Sequence, residues 1–285
     1  MHANIAPQGA NDFHCKPKAG QNPVVLVHGT YENAYNSWAN FAPALKKAGY
    51  CVFTPDYGKA TVLNQGGVMT VLPAIEGVAP IRESGKQIAG YIDRVRKATG
   101  SAKVDVISHS QGGLVMREFL KYFGGANLKD PSKNKVQRLI MISTPNHGTT
   151  LDGIASMNRA VADAGLDATP MFAWTLGAGP MDQAVGSPAI KALNKGRVTY
   201  PGIEYTAVST KYDEVVTPHE TAYLHARGVN NLLLQQGCEQ DTSDHLTITY
   251  SARMLSIAER ALDSGKPAAQ RTKVLCRSNP WLFVW

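Results

Sequence analysis

The sequence predicts a doubly wound α/β fold on a mostly parallel sheet, and three features predict it. Short apolar runs bounded by Gly, Pro or polar residues alternate with longer stretches of helical periodicity. Several of these runs are apolar at every position, as strands covered on both faces must be. One run, residues 104–108, passes through a tight turn of small residues straight into a helical pattern.

Taken in order, residues 1–22 are polar and rich in Gly, Pro and Asn, and Pro23 then opens the strand-like run that ends at His28. Helical spacing follows over residues 37–48, and the second strand is expected over 50–54. A Gly-rich loop, residues 59–82, precedes a helix over 84–98 whose apolar face carries Ile88, Tyr91, Ile92 and Val95. The strand 104–108 and helix 112–123 come next, then a strand over 139–143. Strands over 205–209 and 231–234 and a helix over 246–262 complete the pattern. The interval 147–201 is longer than an ordinary connection and implies a job of its own. Within it Met157, Met171, Phe172, Trp174, Leu176 and Met181 are apolar without core periodicity, which predicts a lid or an acyl-binding pocket. No repeat and no linker divides the chain. The expected organisation is one domain, 1–285, with a lid or cap insertion at about 147–201 and a tail at about 265–285.

Composition narrows the function. Hydrophobic residues make up 44% and charged residues 18%, which excludes intrinsic disorder, and no apolar run reaches the ~18–20 residues of a bilayer span. The net charge of +7 comes from scattered bases without interleaved aromatics, the pattern of solvated faces rather than of a nucleic-acid site. Four cysteines, Cys15, Cys51, Cys238 and Cys276, form no CxxC or Cys/His spacing, which argues against zinc or redox chemistry. Two disulfides are compatible with an even count, but three pairings and four buried thiols remain open. The first residues lack a charged segment followed by an apolar one, so no secretory leader is visible.

The turn after residues 104–108 reads Ser-His-Ser110-Gln-Gly. This is the strand–nucleophile–helix elbow, in which a serine sits in a strained backbone and the residues two before and two after it must be small. Those residues are Ser108 and Gly112, so Ser stands where glycine is usual. An acyl-transfer serine needs a base and an orienting carboxylate, in the chain order Ser, Asp, His. Asp213, in the loop beyond the strand 205–209, is the expected acid, with Glu214 as its rival. His245 is the expected base, since His219 and His225 lie near the chain that carries Asp213. Asp244 reads as a cap, and His28 and His109 as scaffolding near the site. The oxyanion donors are expected from the amide of Gln111 and from Thr30 in the loop after the first strand.

With these residues assembled, the chain resembles the secreted lipases of the actinobacterial type, within the α/β-hydrolase superfamily. The resemblance rests on blocks in family order: residues 23–30, 49–53, 109–113, 146–150, 213–218 and 243–245. It implies an α/β-hydrolase fold and hydrolysis of acylglycerol esters through Ser110, Asp213 and His245, without a metal or other cofactor. It also implies the pairs Cys15–Cys51 and Cys238–Cys276 and a secreted, monomeric protein whose partner is a lipid or other ester substrate. Residues beyond about 265 depart from the family, and their apolar end is expected either to dock on the core or to form a hydrophobic surface. A short-chain carboxylesterase or an aliphatic polyester depolymerase would use the same triad, and a non-catalytic binding module would usually lack one member of it.

Overall fold

The computed structural model describes residues 5–150 and 174–280. Met157, Met171 and Phe172, and the last five residues of the apolar tail, lie outside the described residues. Six strands, β1 (Val24–Val27), β2 (Val52–Phe53), β3 (Val104–His109), β4 (Val136–Ile142), β5 (Glu204–Ser209) and β6 (Val229–Leu233), form one sheet in the order β2-β1-β3-β4-β5-β6. Every pairing is parallel.

The alternation of strand side chains divides the core in two. Val25, Val27, Val104, Val106, Leu139 and Met141 face one way, onto α3 (Ile81–Thr99), α4 (Gln111–Tyr122) and α6 (Pro188–Asn194). Val24, Leu26, Ile107, Ile140 and Ile142 face the other, onto Phe41 and Leu45 of α2 (Phe41–Lys47) and Met254 and Ile257 of α7 (Ala252–Leu262). Helices on both faces explain the uninterrupted apolar runs in the sequence. α1 (Ala34–Trp38) and α5 (Ala178–Asp182) are short helices near the carboxyl ends of the strands.

Two helices differ from their sequence expectation. The stretch 37–48 is two helices, because Asn33 caps α1 through the amides of Tyr35 and Asn36, and Pro43 falls in the first turn of α2, where its missing N–H costs nothing. The stretch 246–262 opens as a 3-10 turn at Thr247–Tyr250, and α7 starts afresh where Ser251 Oγ accepts from the amide of Met254 at 3.0 Å. Both cystines, Cys15–Cys51 and Cys238–Cys276, are present.

The strand order reverses direction at β1: β2 is added on one side and β3 to β6 on the other. At such a switch point the loops leaving the carboxyl ends of β1 and β3 diverge and open a crevice, the usual place for a ligand in a parallel sheet.

Candidate active site

Ser110 stands at that crevice, between the last residue of β3 and the first of α4. Its φ of 50° and ψ of −128° lie in a region a non-glycine residue adopts only when its surroundings force it. The surroundings do so by close approach. A Cβ on Gly112 would lie 2.5 Å from the carbonyl oxygens of both Val27 and His28, so β1 and α4 meet only because that residue has no side chain. Ser108, on the other flank, is buried, and its hydroxyl is taken up by the carbonyl of Ile140 at 3.2 Å. The serine in place of the usual glycine is thus accommodated with its donor satisfied.

Asp213 and His245 are brought together from the loops after β5 and β6. His245 Nδ1 donates to Asp213 Oδ1 at 2.9 Å. The same oxygen accepts from the amides of Val215 (3.1 Å) and Val216 (2.7 Å), which fixes the carboxyl in place. Burial pushes the Asp213 carboxyl up, but the charge and hydrogen bond of His245 and the Val216 amide outweigh it, so it is held below the ordinary aspartate range. For His245 burial pulls the other way, and the charge and hydrogen bond of Asp213, with Glu32 and Glu214 behind them, leave the imidazole above its ordinary value. Glu214 takes another position, accepting from the main-chain amide of His245 at 3.2 Å. Among the described residues no hydrogen bond joins Ser110 to the His245 ring; such contacts are often loose before substrate binds.

The expected oxyanion donors lie beside the serine. Among the described residues the main-chain amides of Thr30 and Gln111 have no acceptor of their own, and the latter opens α4, where the helix dipole also favours negative charge. The Thr30 hydroxyl donates to the side-chain carbonyl of Gln111 and accepts from Gln183 Nε2 at 2.7 Å. Gln183 carried no signal in the sequence. It arrives from the interval 147–201, which is joined to itself where the Thr149 amide donates to the Gln183 carbonyl at 2.9 Å and to the loop before α3 where the Gly179 amide donates to the Val78 carbonyl at 2.9 Å.

The remaining sequence candidates divide. Asp244 is a cap, accepting from the amides of Leu246 and Thr247. His219 pairs with Glu220 at 3.4 Å, and the His225 ring lies tilted against that of His147, 5.0 Å between centroids. His28 is buried against the Tyr57 ring, 4.3 Å between centroids. Leu176 comes close to the site, its carbonyl accepting from Tyr31 at 2.6 Å, while Trp174 is 61% exposed. The Gly-rich loop 59–82 carries no catalytic motif in the sequence, yet it packs here: the Ala178 amide donates to the Gln65 carbonyl at 2.9 Å. Leu63 (99% exposed), Val71 (74%), Leu72 and Met69 project from this loop. No charged residue occurs between Lys59 and Glu76, so these side chains and Trp174 make an uncharged apolar rim.

Asn279 closes the far side of the base. Its side-chain amide donates to Ser243 Oγ at 2.8 Å and to the Thr247 carbonyl at 3.0 Å, two residues on either side of His245. The cystine to Cys276 lies just before it.

Residues 21–249 match the family described as Lipase (class 2). Among solved structures, the chain is similar to lipase B of Aspergillus fumigatus, with 20% identity and a TM-score of 0.64 over 95% of this chain. It spans 60% of the length of that fungal chain. It is also similar to the mature Bacillus licheniformis lipase BlEst2, with 17% identity and a TM-score of 0.54 over 82% of this chain and 88% of the other. A Listeria innocua protein shares the fold at 13% identity, with a TM-score of 0.53 over 88% and 97% of the two chains. With more than half of its length matched, the chain belongs to the class 2 lipase family, and it shares the α/β fold of these lipases.

Proposed function

We propose that the protein is a triacylglycerol lipase that works through an acyl-enzyme on Ser110, with His245 as base and Asp213 as its orienting acid. The observation that carries this is the 2.9 Å His245–Asp213 contact beside a serine held at positive φ, with two unengaged amides next to it. His245 Nδ1 is committed to the carboxylate, which leaves Nε2 as the proton acceptor. As the serine oxygen attacks the ester carbonyl, Nε2 takes its proton, and the negative charge that develops on the carbonyl oxygen falls to the amides of Thr30 and Gln111. Each such donor is worth about 3–4 kcal/mol in the transition state. The imidazolium then protonates the departing alcohol, and a water, deprotonated by the same nitrogen, releases the acid and restores Ser110.

The apolar rim favours a long-chain substrate presented at a lipid surface over a small soluble ester. Leu63, Val71 and Trp174 leave apolar area in water beside the crevice, a cost that contact with acyl chains would remove. The two cystines fit a protein that matures in an oxidising compartment, and we read it as secreted and as one domain.

The test is hydrolysis of p-nitrophenyl esters from acetate to palmitate, with emulsified triacylglycerol, by the wild type and Ser110→Ala. Turnover of the palmitate ester and the emulsion, abolished in the variant, is the expected result. Turnover of short esters alone would make the protein a carboxylesterase or polyesterase, and an active Ser110→Ala would overturn the mechanism.

A further inference from the structure

A second imidazole–carboxylate pair lies under the site and takes no part in the mechanism above. His109, the residue before Ser110, is fully buried at the end of β3. Its Nδ1 lies 3.0 Å from both carboxylate oxygens of Glu32, and its Nε2 lies 2.9 Å from the main-chain carbonyl of His245. A main-chain carbonyl cannot donate. Nor can Glu32: burial pushes its carboxyl up, but the charge and hydrogen bond of His109, the Ser37 hydroxyl and the Gly29 amide bring it down to about 2. Both ring nitrogens of His109 therefore face oxygens of other segments, the carboxylate of Glu32 on one side and the carbonyl of His245 on the other.

Glu32 gathers the same region from the other side. It accepts from the amide of Gly29 at 2.8 Å and from Ser37 Oγ at 2.6 Å. Gly29 precedes Thr30, and a Cβ on Gly29 would lie 3.0 Å from the Cβ of Ser110. The Glu32 carboxylate thus fixes the oxyanion loop, and through His109 it reaches both the strand end that presents Ser110 and the backbone of His245. The other charged or titratable groups around the pair are His28 with Asp56 behind it, Tyr57, His245 with Glu214 on its amide, and Tyr250.

A buried polar pair is a poor source of stability compared with apolar side chains of the same volume. Its distinct property is direction, since hydrogen bonds at the two nitrogens of one rigid ring set the distance between two segments. We propose that Glu32 and His109 are a positioning pair that holds the His245 loop and the Thr30 loop in register with Ser110. This rests on the assignment of Ser110 and His245 made above.

The test compares Glu32→Gln, His109→Phe and the double variant on soluble p-nitrophenyl butyrate, with near-ultraviolet circular dichroism to establish that each is folded. Expected is a kcat lower by about 10²-fold in each single variant with KM little changed, because the lost item is alignment rather than substrate contact. The double variant should be no worse than the poorer single one, since both changes break one device. Wild-type kcat in folded Glu32→Gln, or a double loss equal to the product of the singles, would overturn the proposal. If the variants do not fold, 15N-histidine spectra of the wild type decide: Nδ1 of His109 should be hydrogen-bonded to the Glu32 carboxylate and Nε2 to the His245 carbonyl, and a ring nitrogen without its hydrogen bond would overturn the proposal. Ser110→Ala separates the two failures. An active Ser110→Ala sinks the functional assignment itself, whereas an inactive one beside a fully active Glu32→Gln sinks only the positioning pair.

Discussion

Asp213 and His245, 32 residues apart in sequence, meet through a single 2.9 Å hydrogen bond whose acceptor oxygen is also held by two main-chain amides. In the proposed mechanism that anchorage suits the carboxylate to orienting the ring rather than carrying a proton. Asp213→Asn keeps the shape but presents the wrong group to Nδ1, and kcat should fall by about 10⁴-fold. Urea unfolding should show the variant still folded, and kcat near the wild-type value would refute the role.

The direction of the His245 shift sets the pH profile. In the proposed mechanism His245 accepts a proton and so works only when deprotonated, and its pKa is raised by Asp213 against the pull of burial. The acid limb of kcat/KM should therefore lie above the ordinary histidine value of about 6.5, with activity rising into the alkaline range. An optimum near pH 4 would contradict this.

Acid stability should follow Glu32. Its carboxyl is depressed in the folded protein to about 2, so its contribution is fully present above the ordinary carboxylate range and is lost as pH falls toward that value. Melting temperatures measured from pH 6 down to pH 2 should drop less steeply in Glu32→Gln than in the wild type. Parallel curves would show that the carboxylate is not coupled to folding.

Gly112→Ala tests the elbow. The added methyl meets two main-chain oxygens at 2.5 Å, and neither belongs to a side chain that could swing away. We expect a loss of at least about 1–3 kcal/mol in urea unfolding, together with loss of activity as Ser110 is displaced. An unaltered midpoint would mean that β1 and α4 can separate.

The apolar rim can be tested at Leu63. Leu63→Asp should lower the ratio of emulsified triacylglycerol turnover to p-nitrophenyl acetate turnover, because the charge must stay in water while the soluble ester needs no surface. An unchanged ratio would remove the rim from lipid contact.

How much of this was legible in the sequence depends on the range of the forces involved. Ser110, Asp213 and His245 could be expected because the elbow needs small neighbours in the adjacent sequence, and because the loops after parallel strands meet at one edge of the sheet. The positions of the cysteines suggest two local staples while permitting three pairings, and the family resemblance singles out the pairing observed. The break between α1 and α2 was missed because Asn33 and Pro43 act on helix ends, while the apolar period runs on through both. Gln183 was invisible, since a glutamine reaching Thr30 across 153 residues leaves no local pattern. The Glu32–His109 pair was read only as scaffolding at its histidine end, because nothing in the sequence announces that a glutamate two residues beyond Thr30 turns inward to meet it.

The tie from Asn279 to the residues flanking His245 sets what that loop depends on. Every strand of the sheet, Ser110 and Asp213 precede residue 276 in the chain, yet the loop that carries His245 is braced by Asn279, three residues beyond the Cys238–Cys276 cystine. The hold on the His245 loop is therefore separate from the packing of the sheet, and a change confined to residues 276–279 would reach His245 without touching a strand.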